Sequence, residues 1–181
     1  MPSVTRLYTT DDVRSFPDDG NRYEVIAGEL FVTPAPGTRH QRVLGRLHLL
    51  LGNYVTRHRL GEVFFAPTDV VFGPMTLVEP DLLFVRGDRT HIITERELTG
   101  PPDLTVEAIS PSSARTDRGR KRALYQEEGV GEYWVVDCDL ARVEVWRPGA
   151  TTAEVLTDVL RWQPDSGVEA LTVQLREVFA I

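Results

Sequence analysis

"PDLTVEAISPSSARTDRGRKRALYQEEGVGEYWVVD", residues 102 to 137, carries the decision about the fold. "PDLTVEAIS" is rich in apolar residues and short, as a strand is, and "PSSA" closes it as a loop. Thr116 with Asp117 then predicts a helix cap, with the helix running to about Glu128 and Gly129 ending it. "EYWVVD" reads as a further strand that turns at "CDLA" into a partner, "RVEVWRP".

Two residues in this stretch do not suit a purely structural role. Glu107 lies among apolar neighbours, where an ionised carboxylate costs several kcal/mol unless a cation or good hydrogen bonds compensate. Lys121 is the one lysine among 20 basic residues. An ammonium is a compact point charge whose pKa shifts with its surroundings and which can orient or deprotonate a water, unlike the planar and permanently charged guanidinium.

Upstream, "YTTDDVRSFP" predicts a short opening helix, and "RYEVIAGELFV" two strands around Ala27-Gly28. "TPAPGT" is a loop. From Arg39 to His58 the apolar residues Val43, Leu47, Leu50 and Leu51, with Tyr54, recur at helical spacing, and Gly61 supplies a stop. "GEVFFAPTDVVFGP" gives two strands broken at Pro67, "VEPDLLFV" gives another beginning after a proline, and "TERELTG" predicts one or two helical turns. Residues 153 to 181 add strands or a short helix. The expected fold is α/β or α+β, in a single domain spanning residues 1–181.

Composition narrows the function. Charged residues at 26% and hydrophobic ones at 41% are those of an ordinary globular protein. A net charge of −7 disfavours tight sequence-independent binding to nucleic acid or an anionic membrane unless a local basic patch reverses the field. "LHLLLGNYV", the longest apolar stretch, falls short of the ~20 residues of a membrane span, and "MPSVTRLYTTDD" lacks a signal-peptide core. A cytoplasmic protein is expected. A single cysteine, Cys138, is incompatible with an internal disulfide or a cysteine-based zinc site. Serine-hydrolase, zincin, Walker and dinucleotide-binding motifs are missing.

Which acid accompanies Glu107? Asp103 shares its strand face but lies about 13 Å away, four steps of ~3.3 Å. Asp81, on a strand able to pair beside that of Glu107, can approach across the ~4.8 Å spacing between neighbours. Two such carboxylates suit a hard cation of the Mg²⁺ type, with Mn²⁺ as a substitute, and Lys121 would position the attacking water.

"YEVIAGEL", "PAPGTRHQ", "EPDLLFV", the stretch from Pro102 to Asp137 and "VEVWR" together resemble the Uma family of restriction-endonuclease-like proteins, placed in the PD-(D/E)XK nuclease superfamily. The resemblance spans roughly residues 20 to 147. It implies a restriction-endonuclease-like core, a mixed central β-sheet flanked by helices, with additional N- and C-terminal strands. It also implies a Mg²⁺-dependent endonuclease cutting DNA, with Asp81 and Glu107 as metal ligands. The resemblance further implies that Lys121 replaces the lysine usually found two residues beyond the glutamate, where this chain has Ile109. Glu29 and His40 match recurrent family positions, as a further ligand or water-positioning residue.

Rival readings remain open. Asp117, Lys121 and Tyr125 at i, i+4 spacing also describe a surface ion pair on a helix. Glu107 could pair with Arg115 or Arg118 without a metal. Arg39, Arg42 and Arg46, and the run Arg115, Arg118, Arg120, Lys121 and Arg122, are candidates for a local positive groove on duplex DNA. A homodimer would suit cutting both strands. The alternative function is a catalytically inactive dimeric module binding nucleic acid or protein on the same fold.

Overall fold

The computed structural model describes residues 6–180. In chain order α1 (Thr10–Arg14) leads to a hairpin of β1 (Arg22–Ile26) and β2 (Glu29–Thr33), then to α2 (Thr38–His58). Ala27 and Gly28 both have positive φ, 49° and 79°, which is the conformation a tight two-residue hairpin needs. Next come β3 (Gly61–Phe65), β4 (Val70–Gly73), β5 (Thr76–Val78), β6 (Leu82–Arg86), a 3₁₀ turn (Gly87–Ile92) and β7 (Leu104–Ile109). A helical run follows in three parts: α3 (Ala114–Thr116), a π-helical turn (Asp117–Lys121) and α4 (Arg122–Glu127). The chain ends in β8 (Glu132–Asp137), β9 (Arg142–Trp146), β10 (Glu154–Leu156), β11 (Val159–Trp162), β12 (Leu171–Gln174) and α5 (Leu175–Phe179).

Six strands form the central sheet in the order β10-β9-β8-β7-β6-β3. It is mixed, because β7 and β8 run parallel while every other neighbouring pair is antiparallel. The helical run is the crossover that a parallel pair requires. β7 is buried at all six positions, as befits a strand covered on both faces.

Alternation along the strands sorts side chains into two cores. Leu82, Phe84, Val106, Ala108, Trp134 and Val136 meet α2, the β11–β12 hairpin and α5 on one face. Leu83, Val85, Ile109, Tyr133 and Val135 meet Tyr125, Ile26 and Val78 on the other. That second face is covered by the helical run and by a four-stranded sheet, β2-β1-β5-β4.

Three local expectations change. "TERELTG" is no helix: Glu97 N–H bonds the Thr94 hydroxyl at 3.0 Å, and Leu98 is drawn into a bridge with Val70, its N–H donating to Asp69 C=O at 2.8 Å. Thr116 is not a cap, since the helix has already begun, with the Ala114 N–H on Ser110 C=O and the Asp117 N–H on Ser113 C=O. The left-handed residue ending α2 is Arg59, at φ 56°, and not Gly61. Gly61 has another task. Its φ is 146°, and a Cβ there would sit 2.0 Å from the Val85 carbonyl oxygen, so only glycine lets β3 approach β6 at this point.

Candidate active site

Asp81 immediately precedes β6, and Leu82 pairs with Val106. Continuing that antiparallel register sets Asp81 opposite Glu107, where facing side chains stand on the same side of the sheet with Cβ atoms about 5 Å apart. The Asp81 carboxylate replaces a backbone acceptor at the end of the ladder, for its Oδ2 accepts the Ala108 N–H at 2.8 Å. Its Oδ1 accepts from Arg22 Nη2 at 2.9 Å. Arg22 Nε in turn lies 2.9 Å from Glu79 Oε1.

Lys121 reaches the same face from the end of the π-helical turn, an element that recurs at functional sites. Its amine is 2.9 Å from Glu107 Oε1, 2.8 Å from Glu24 Oε1 and 3.7 Å from Asp117 Oδ1. The Tyr125 hydroxyl donates to Glu107 Oε1 at 2.9 Å. Glu24, Asp81, Glu107, Asp117 and Lys121 are all buried. Lys121 is therefore no surface ion-pair residue, and Glu107 takes its cation from Lys121 and not from Arg115 or Arg118.

The charges do not balance. Glu24, Glu79, Asp81, Glu107 and Asp117 face two cations, Arg22 and Lys121. Burial pushes Glu107 well above the usual carboxylate range despite the attraction of Lys121, and raises Asp117 for the same reason. Asp81 also feels burial, but His40, Arg22 and the Ala108 N–H together hold it below its ordinary value. For Lys121, burial opposes the charge and is outweighed by Glu107, Glu24 and Asp117, so its pKa is raised. Lys121 is thus a fixed cation. In this arrangement it cannot serve as the base that deprotonates a water.

These groups line a cleft of about 260 Å³, walled by the loop from Pro34 to Gly37 and by Ser110 to Ser113. His40, in the first turn of α2, reaches the rim. Its Nε2 lies 3.3 Å from Asp81 Oδ2 but off the line of a hydrogen bond, so that buried nitrogen has no partner. Glu29 is not brought to the cluster. It stands at the exposed start of β2, 3.0 Å from Arg120, with both side chains more than half exposed.

Sequence reasoning missed Glu24 and Arg22. Both lie on β1, two residues apart and hence on one face, and this alternation in "RYEVI" was the available signal. Most arginines of the proposed basic groove have partners within the chain. Arg39 pairs with Asp139, Arg46 bonds the Val178 carbonyl and Arg120 pairs with Glu29. Arg118 pairs with Asp137 and Glu144, and Arg122 lies over the Trp146 ring. Arg42 and Arg115 make no ion pair among the described residues.

Comparison with known proteins agrees with this architecture. A solved structure described as "a putative nuclease belonging to DUF820", from Anabaena variabilis, superposes with a TM-score of 0.78, covering 96% of this chain and 98% of that one at 20% identity. The two share a fold. Residues 10–176 match the model of the Uma2 family, described as "Putative restriction endonuclease", and the chain belongs to that family. A search of curated proteins finds no match. Among the described residues no helix is long and apolar enough to cross a membrane.

Proposed function

We propose that this protein is a metal-dependent endonuclease hydrolysing DNA phosphodiester bonds. The observation that carries the reading is the placement of Asp81 opposite Glu107 on adjacent strands, with Lys121 on Glu107, in a buried cleft where acids outnumber bases.

The donor set fits Mg²⁺, or Mn²⁺ in its place. Among the described residues no three His, Cys, Asp or Glu side chains form a ready-made metal cage. Mg²⁺ does not need one, since proteins commonly offer it one or two carboxylates and leave the remaining positions to water and phosphate oxygens. Asp81 and Glu107 would hold it, and a divalent cation would offset the excess of buried negative charge. When bound, it supplies Lewis acidity toward a phosphoryl oxygen and a water of lowered pKa.

The chain's own residues then have distinct tasks. Lys121 draws Glu107 toward its ionised form against the effect of burial and offers fixed positive charge to a phosphate entering the cleft. Arg22 and the Ala108 N–H fix the Asp81 carboxylate from two sides. Tyr125 pins the Glu107 oxygen that Lys121 also holds. His40, with an unpartnered nitrogen beside Asp81, is the residue available to hold a water at the rim. A homodimer would place two such clefts on the two strands of a duplex.

Hydrolysis of plasmid and oligonucleotide DNA with Mg²⁺ or Mn²⁺ tests the reading, comparing wild type with Glu107→Gln and Lys121→Met. Metal-dependent cleavage by wild type alone is expected. Equal, metal-independent activity in all three would remove the assignment.

One observation favours the second reading, a catalytically silent dimeric binding module. The Lys121 amine is already held by two carboxylates at 2.8 and 2.9 Å, as in a purely structural ion network. Under that reading millimolar Mg²⁺ leaves thermal stability unchanged and Glu107→Gln raises it.

A further inference from the structure

A second cleft, of about 450 Å³, opens beside Asp81 on the α2 side of the sheet and shares Arg22 and Asp81 with the cleft that holds Glu107 and Lys121. Its volume suits a small ligand. Its character is different from its neighbour's. Phe65, the last residue of β3, is 57% exposed, and Leu49 on α2 is 65% exposed. The Phe65 ring lies 4.7 Å from that of His48, centroid to centroid, so two flat surfaces line one wall. Gly45 contributes no side chain, and open space surrounds the position its Cβ would take. Gln41 brings an uncharged amide that can both donate and accept. The aromatic wall is tied to the candidate site by backbone, because Phe65 pairs with Leu82 and the Ala66 N–H donates to the Asp81 carbonyl at 3.1 Å.

We propose that this cleft seats an unstacked nucleobase adjoining the phosphodiester held at Asp81 and Glu107, which makes the substrate a single strand or an extruded nucleotide. The inference rests on the nuclease reading and narrows it. Two arguments lead here. First, electrostatics leaves little for duplex binding: the chain carries a net charge of −7, and most of the arginines near the site are already paired. Counterion release from a duplex backbone is correspondingly small. Second, the site does offer an exposed aromatic face, on which every base can stack regardless of identity. A base within a duplex is already stacked on its neighbours and must leave the helix to reach such a surface. Gln41 can meet the polar edge of a base there, while Phe65 and Leu49 cover its faces.

The test is KM and kcat, with Mg²⁺, for a single-stranded oligonucleotide and for the same sequence as a duplex, using wild type, Phe65→Ala and Phe65→Tyr. Phe65→Ala is expected to raise the single-strand KM about tenfold, the order of a lost base stack, with kcat little changed and with Phe65→Tyr restoring the wild-type value. Wild type is expected to prefer the single strand. Equal single-strand KM for wild type and Phe65→Ala, with both hydrolysing DNA, overturns the base site and leaves the nuclease reading intact. Should no variant hydrolyse DNA with either metal, the nuclease reading falls. The cleft is then judged by fluorescence anisotropy of the labelled single strand, where tenfold weaker binding to Phe65→Ala supports it and unchanged binding overturns it. Size-exclusion chromatography covers the rival occupant: a dimer that Phe65→Ala converts to monomer makes this patch a contact between copies and sinks the proposal.

Discussion

Three residues apart on one helical run, Arg118 and Lys121 anchor two ion networks that differ in almost every respect. Arg118 and Arg142 face Asp137 and Glu144, two cations for two acids. Both arginines are about one-third exposed. Lys121, at 3% exposure, shares its chamber with more acids than bases. A balanced, half-wet cluster has satisfied itself and asks for nothing more. The buried and acid-rich one, at the wall of a cleft, has fewer cations than acids. Crowding of charge in a sequence therefore says little, whereas the local balance of charge, with its burial, separates the two networks.

Breaking the buried network has the largest expected effect. Lys121→Met leaves three buried carboxylates without their amine and should cost on the order of 3–5 kcal/mol, read from the urea midpoint, together with any hydrolysis. An unchanged midpoint would mean that the acids there simply take up protons.

Adding the missing charge should have a smaller effect of opposite sign. At Mg²⁺ concentrations of about 100 Kd the wild type gains roughly 2.7 kcal/mol relative to EDTA, seen as a rise in Tm that Glu107→Gln abolishes.

Opening the balanced network comes next. Arg118→Ala leaves Arg142 in place to serve Asp137 and Glu144, so a loss of about 1–2 kcal/mol with unaltered hydrolysis is expected. That loss should depend on pH. Burial works to raise Asp137, but the Leu140 N–H and Arg118 hold it below its ordinary value. Its contribution is present above the unfolded carboxylate pKa of about 3.9 and disappears as pH falls through the lower native value. The gap between wild type and Arg118→Ala should accordingly narrow on acidification, in urea titrations at pH 7 and pH 3. The smallest effect belongs to Glu29→Ala, which removes an exposed pair with Arg120 worth 0–1 kcal/mol and should leave hydrolysis untouched.

Much of the architecture was open to a reader of the chain because it is local. The periodicity of α2, the turn at Ala27-Gly28 and the strand pair β8–β9 all declare themselves within a few residues. Asp81 and Glu107 could be put on neighbouring strands from spacing alone. The alternation in "RYEVI" sets Arg22 and Glu24 on one face of β1 but does not say what that face meets, because "RYEVIAGEL" is an ordinary hairpin until the four-stranded sheet folds onto the central one and turns that face inward. The same long-range packing gives part of the basic run its partners, since those of Arg118 lie 19 and 26 residues further on. Phe65 was hidden for the opposite reason, as "VFF" reads like core and only the end of β3 at the cleft leaves its ring in water.

The bond between Lys121 and Glu24 closes a loop of nearly a hundred residues. A chain emerging from the ribosome holds Arg22 and Glu24 early, but Glu107 and Lys121 arrive much later, and the parallel pairing of β7 with β8 needs residues as far as Asp137. Contacts so distant along the polymer form late in folding. The chamber around Lys121 is consequently a late product of synthesis: a nascent chain cannot assemble it before Asp137 has emerged, and whatever the chamber does begins only after that point.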